Sequence, residues 1–118
     1  MSELTQRRVV LLGRMYHPEG EERLRAAVPV TVLEQPQPAE VVEAMKSAAG
    51  VFVRYPNKLR AEAIAAAAQL KIISTSGRGT DAIDLAAATR HGVPVVNQPA
   101  FGTVPVAEQT VGVMIAFA

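Results

Sequence analysis

Short β-branched, aliphatic runs alternate with Ala-rich stretches of helical period along this chain, and no other feature constrains its fold as tightly. The runs cover residues 8–13, 30–33, 50–54, 71–75 and 94–97. Each is mostly apolar rather than apolar at every second position, the pattern of a strand buried on both faces. Such strands belong to parallel sheets, whose neighbours are joined by crossovers long enough to hold a helix. Residues 18–27 open with Pro18, suited to a first helical turn, and residues 38–49 set Val42, Met45 and Ala49 on one stripe. In residues 58–70, Leu59, Ala63, Ala66, Ala67 and Leu70 recur at helical spacing, and small Ala side chains let that helix approach the sheet closely. Asp84 is placed to cap a helix over residues 85–91, with Gly92 at the left-handed position after its end.

The expected fold is therefore α/β, a flavodoxin-like three-layer domain with a five-stranded parallel sheet in the order 2-1-3-4-5. A last helix is expected from Thr103, whose hydroxyl suits an N-cap, with Pro105 in its first turn. From Val111 onward it is apolar on every face, and no stop signal precedes Ala118. Residues 1–118 are accordingly expected to be one domain that breaks off inside a hinge helix over residues 103–118, whose continuation would cover that helix. Burial of the helix between two copies of the chain is the alternative.

Composition removes several function classes. With 118 residues, 49% apolar and 19% charged, the chain supports one core and is too short for a second domain of ordinary size. Its net charge of +1 comes from scattered basic residues with no cluster longer than Arg7-Arg8, so no nucleic-acid partner is expected. Without cysteine there is no disulfide, thiolate nucleophile or thiolate metal site, and no metal is expected. The opening MSELTQRR lacks an apolar export signal, so a cytoplasmic location is expected. The apolar stretch over residues 111–118 is far shorter than the ~20 residues of a membrane span, so no membrane partner is expected either.

In open parallel sheets ligands bind beyond the carboxyl ends of the strands, which directs attention to the loops there. The loop after the fourth strand reads STSGRGTDAIDL, with Gly77 and Gly79 flanking Arg78. Two glycines permit a tight turn with amides directed outward, a small anion-binding nest that Arg78 could reinforce. An ordinary strand-to-helix turn needs the same residues, so both readings stand on spacing alone. The segment also fits the dinucleotide pattern G-x-G-x-x-A through Gly77, Gly79 and Ala82. That pattern requires an acid about 20 positions on, and here the next strand ends in Asn97-Gln98.

Residues 70–118 as a whole resemble the D-isomer-specific 2-hydroxyacid dehydrogenase family, which includes phosphoglycerate, glycerate, formate and phosphite dehydrogenases. The resemblance rests on Leu70-Lys71-Ile72-Ile73, then Gly79-Thr80-Asp81-Ala82-Ile83-Asp84, then residues 88–99, then Val106-Ala107-Glu108, in that order and spacing. Residues 1–50 match only in their βαβ rhythm.

The resemblance implies the substrate-binding domain of an enzyme that interconverts D-2-hydroxy acids and 2-oxo acids with NAD or NADP, the parent being a homodimer. It implies that turn amides at Arg78 and Gly79, opened by Gly77, hold a substrate carboxylate. It makes Arg54 a substrate-facing arginine with Tyr55 beside it, a guanidinium being able to grip a carboxylate by two parallel bonds. A solvated charge closing a strand is the alternative for Arg54. It also sets Thr103 and Pro105 against the nicotinamide. The family's catalytic arginine, acid and histidine fall in or beyond a nucleotide-binding domain that this sequence lacks, so no catalytic residue is expected here and the chain alone should not turn over.

His17 lies near the ligand edge and His91 in a helix's last turn; neither occupies the family's catalytic position. The rival from another class is a complete binding or interaction module of the same fold. A receiver domain would need an acid ending its third strand, where Val53-Arg54 stand, and a flavodoxin a Ser/Thr-rich phosphate loop where RMYHPEG stands. A stand-alone small-anion-binding or protein-interaction domain remains open.

Overall fold

The computed structural model describes residues 6–100 and 102–118. Five strands alternate with five helices: β1 (Arg8–Leu12), α1 (Pro18–Ala27), β2 (Val30–Leu33), α2 (Pro38–Met45), β3 (Ala48–Val53), α3 (Ala61–Ala66), β4 (Ile72–Thr75), α4 (Leu85–Arg90), β5 (Val95–Val96) and α5 (Thr103–Ala116). All neighbouring strands pair in parallel, in the order β2-β1-β3-β4-β5 expected from the sequence.

Alternation along the strands sorts the core. Val10, Leu12, Val51, Val53 and Ile73 face one side, where Val41 and Met45 of α2, Ala63 and Ile64 of α3, and Ala87 and Ala88 of α4 close over them. The direction reverses between β2 and β3, so right-handed crossovers put α1 on the other face. That face is only part-covered: Leu11 is fully buried, whereas Ile72 and Val96 stand more than two-fifths exposed. No residue of α5 is buried, and its Val104, Val106, Met114 and Ile115 are 63–71% exposed. This projecting helix gives the molecule its extents of 58 × 31 × 24 Å.

Several boundaries differ from expectation, each for a physical reason. The stripe expected over residues 38–49 is cut at Met45, because Ala48 already pairs with Arg8 and Ala49 lies in β3. The helix expected over residues 58–70 shortens to Ala61–Ala66. Its first residues are held extended by Leu59, whose amide donates to the Ala82 carbonyl (2.7 Å) and whose carbonyl accepts from Asp84 (3.0 Å). Leu59, Ala63, Ala67 and Leu70 are nevertheless buried as their spacing required; Ala66 is only half-buried. Gly13, at φ +93°, ends β1 one residue early, since a Cβ there would lie 3.0 Å from the Arg54 Cβ. Helix α5 is capped by Gly102 at φ +79° rather than by Thr103, which is its first helical residue. It runs to Ala116, with the Phe117 amide still donating to the Val113 carbonyl at 3.1 Å. The caps at Asp84, whose Oδ1 accepts from the Ala87 amide at 2.9 Å, and at Gly92, at φ +65°, form as the sequence implied.

The loop from β1 to α1 is anchored by an almost buried carboxylate. Glu21 Oε1 accepts from Arg14 Nη1 at 2.8 Å and from Arg25 Nε and Nη2 at 3.1 and 2.9 Å, while Arg14 Nε reaches Glu34 at 2.8 Å. The Arg25 hydrogen bonds, aided by Arg14 and opposed by burial, hold the Glu21 carboxyl below its ordinary range. A depressed folded value contributes stability above the unfolded value, about 4.3 for Glu, and loses it as pH falls through the folded one. Glu21→Gln is therefore expected to lower the urea midpoint at pH 7, with the gap to wild type closing as pH drops below about 4. A gap that persists at the lowest pH would show that packing, not charge, accounts for it.

Candidate functional site

The turn after β4 is built by a side chain that the sequence argument passed over. Thr75, 4% exposed, accepts from the Gly77 amide at 3.1 Å, and its one hydroxyl proton lies within reach of the carbonyls of Gly77 (3.2 Å) and Gly79 (3.1 Å). From the other side, the Gln98 amide donates to the Gly77 carbonyl at 2.9 Å and Asn97 Nδ2 to the Arg78 carbonyl at 2.9 Å. All three turn carbonyls are thus drawn into the protein. In a planar trans peptide the next amide points the opposite way. The amides of Arg78 and Gly79 are therefore directed away from these anchors, and among the described residues neither has an acceptor. Two successive backbone amides of this turn are thus left without a partner among the described residues.

The glycines contribute differently from expectation. Neither Gly77 nor Gly79 has a φ between +20° and +160°, so Thr75, not left-handed backbone, shapes the turn. A Cβ on Gly77 would meet nothing within 4 Å, and one on Gly79 only Asp81 Oδ2 at 3.8 Å, so the glycines leave open space beside the amides.

A cavity of about 210 Å³ opens there, lined by Tyr16, Val53, Tyr55, Thr75, Ser76, Gly77, Gly79, Asp81 and Ala82. It sits at the carboxyl ends of β3 and β4, where an open parallel sheet takes its ligand. A larger hollow of about 350 Å³ lies between α2 and α3, but its walls are chiefly prolines, Ala and Val with Lys58 and Arg60 at the rim, and no amide pair faces it. A further hollow of about 280 Å³ at the ends of β1 and β3 is lined by Gly13, Arg14, Glu34, Arg54, Tyr55 and Asn57.

Arg54 follows β3 and lines this neighbouring hollow, meeting the cavity beside the turn only through its stack on Tyr16. Its guanidinium stacks 4.0 Å from the centre of the Tyr16 ring and Nη1 donates to the Arg14 carbonyl at 2.9 Å. These contacts fix the stem and leave other guanidinium donors for a ligand. Tyr55 is 82% exposed on the same rim. Arg78 is exposed and outside the lining of the cavity, where the one charged side chain among the described residues is the Asp81 carboxylate.

Other candidates separate from this group. His17 is the N-cap of α1, its Nδ1 accepting from the Glu19 amide at 3.2 Å, a structural role. His91 Nδ1 donates to the Ala87 carbonyl at 2.9 Å at the end of α4. Thr103 and Pro105 stand exposed in the first turn of α5 and do not border the cavity. Among the described residues no group of three or more His, Asp or Glu could hold a metal, and no helix is long and apolar enough to cross a membrane. Tyr16, Thr75 and Ser76 are the residues that sequence reasoning missed. Only the position of Tyr16 in the loop after β1 hinted at a role.

Because Thr75 accepts from the part-buried Gly77 amide and gives its one proton to a turn carbonyl, Thr75→Val is expected to cost about 1–3 kcal/mol in urea unfolding and to weaken anion binding, with Thr75→Ser recovering most of both. A valine variant of unchanged stability would mean that the turn is shaped by something else.

The comparisons with known proteins bear on the family of the chain and on its fold. Residues 9–113 match the profile of the D-isomer specific 2-hydroxyacid dehydrogenase catalytic domain. The chain is 34% identical over 109 residues to the D-3-phosphoglycerate dehydrogenase of Synechocystis, covering 92% of this chain and 20% of that protein. Among solved structures it resembles the NAD+-bound 3-phosphoglycerate dehydrogenase of Entamoeba histolytica, with a TM-score of 0.76 and 30% identity over 93% of this chain and 38% of the other. It also resembles an NADPH-dependent glyoxylate/hydroxypyruvate reductase of Sinorhizobium meliloti in complex with NADP and malonate, with a TM-score of 0.77 and 27% identity over 93% and 34%. The chain spans only 15–20% of the length of the curated relatives it matches. By this match over most of its length, and by its fold, the chain belongs to the D-isomer-specific 2-hydroxyacid dehydrogenase family.

Proposed function

We propose that this chain is the substrate-binding domain of an NAD(P)-dependent oxidoreductase that interconverts a D-2-hydroxy acid and a 2-oxo acid by hydride transfer. The observation that carries the proposal is the pair of unspent amides at Arg78 and Gly79, held outward by Thr75, Asn97 and Gln98 at the mouth of a cavity. A substrate carboxylate accepts from those amides, Arg54 supplies a charged donor at the rim, and the carbon to be reduced lies in the cavity.

The residues present do not fit a whole dinucleotide. The strand after the glycine turn ends at Val96 and is followed by Asn97, whose side chain is bound to Arg78, so no acid waits there for a ribose. The nucleotide therefore belongs to a further domain of the parent, with Thr103 and Pro105 bordering the nicotinamide, and the exposed apolar surface of α5 is where that domain would pack. This chain's part is to bind and orient the acid and, when the two domains close, to exclude water from it. The parent so read is a cytoplasmic homodimer.

The test compares the product of the complete reading frame with this chain, following oxidation of NADH and NADPH with glyoxylate, hydroxypyruvate and pyruvate. Turnover by the longer product alone is expected. Binding of the acids without oxidation of either nucleotide by any product would replace the dehydrogenase with a small-anion-binding module.

A further inference from the structure

Tyr16 comes from the loop between β1 and α1, outside the stretch over residues 70–118 on which the family resemblance rests, yet it forms a wall of the cavity. Its hydroxyl lies 3.4 Å from Ser76 Oγ, so the side chain spans from this loop to the start of the turn that holds the two unspent amides. Its ring carries the Arg54 guanidinium at 4.0 Å. The loop behind it is pinned by the Arg14 bridges to Glu21 and Glu34, and the Arg14 carbonyl takes the Arg54 hydrogen bond. Tyr16 is thus a wall held in place from two sides, by the ion pairs of its loop and by the stacked arginine. With a carboxylate on the amides of Arg78 and Gly79, whatever is attached to the reacting carbon occupies the space left between Tyr16, Val53, Tyr55 and Ala82. Val53 is 2% exposed and fixed in the sheet, whereas Tyr55 is 82% exposed and confines little.

We propose that Tyr16 is a specificity-determining residue of this site, its ring restricting the substrate to 2-oxo acids with a small group on the reacting carbon. The proposal rests on the carboxylate reading given above. The ring rather than the hydroxyl sets the limit, because the ring supplies the wall and the seat for Arg54. A fixed apolar wall rejects a ligand too large by one or a few methylenes by roughly 10- to 200-fold.

The experiment measures dissociation constants of pyruvate and of 2-oxo-4-methylpentanoate for this chain by amide chemical-shift titration, in wild type, Tyr16→Phe and Tyr16→Ala. Tyr16 is 56% exposed and outside the core, so both variants should keep the dispersed spectrum of the folded domain. Wild type is expected to prefer pyruvate by at least about tenfold. Tyr16→Phe keeps that ratio, and Tyr16→Ala reduces it by about tenfold or more by admitting the branched acid. An unchanged ratio in Tyr16→Ala, or its loss in Tyr16→Phe, overturns the role of the ring while leaving the carboxylate grip standing. Absence of shifts at Arg78 and Gly79 with either acid removes the grip and this proposal together.

Discussion

Arg54→Ala is expected to lower kcat/KM for the 2-oxo acid by roughly 30- to 700-fold in the product of the complete reading frame, with a change in stability of no more than about 2 kcal/mol. A hydrogen-bonded charge gripping a carboxylate contributes about 2–4 kcal/mol, and each 1.4 kcal/mol is tenfold. What the domain loses structurally is one hydrogen bond to the Arg14 carbonyl and one ring stack, both at the surface and each worth about 1 kcal/mol or less. The two effects therefore separate: function falls while the fold persists. Arg54→Lys keeps the charge but not the fork, so it should recover only part of the rate. A variant that turns over normally would return Arg54 to the status of a solvated charge at a strand end.

The largest effect on stability is expected at the centre of the sheet. Ile73 of β4 is fully buried between β3, which carries Val51 and Val53, and β5, which carries Val95, and beneath helices that carry Ile64 and Ala87. Ile73→Ala is expected to cost about 2–5 kcal/mol, the lost transfer energy plus the cavity left in a packed interior. Its neighbour Ile72 points to the other face and is 44% exposed, so Ile72→Ala should cost less than about 1 kcal/mol. Equal costs measured by urea unfolding would contradict the assignment of faces. Because Thr75 lies two residues on from Ile73 and on the same face, the loss should also loosen the turn that Thr75 holds.

The fold was legible because each strand keeps a near-continuous apolar run, even where one face is only part-covered as at Ile72 and Val96, and such runs recur five times between helical segments. Helix ends were legible where a side chain or a glycine marks them, as at Asp84 and Gly92, and not where tertiary pairing decided. Residues 46–49 had helical spacing but were taken by the pairing of Ala48 with Arg8, and residues 58–60 by the bridge of Leu59 to Ile83.

The candidate site was half legible. The position of the turn and of Arg54 could be read from a strand followed by a loop. The parts supplied by residues distant in sequence could not: Asn97 reaching back 19 residues to Arg78, or Tyr16 meeting Ser76 across 60 residues. Spacing pointed to a tight turn at the glycines but not to the Thr75 hydroxyl that ties it together.

The central claim is that two backbone amides of this chain hold a carboxylate, and titration of the 15N-labelled domain with oxamate tests it most directly. The account predicts saturable shifts led by the amides of Arg78 and Gly79, with the Gly77 amide, already donating to Thr75, moving less. Shifts centred on the hollow between α2 and α3, or none at the turn at oxamate concentrations in the tens of millimolar, about ten times a millimolar dissociation constant, would contradict it.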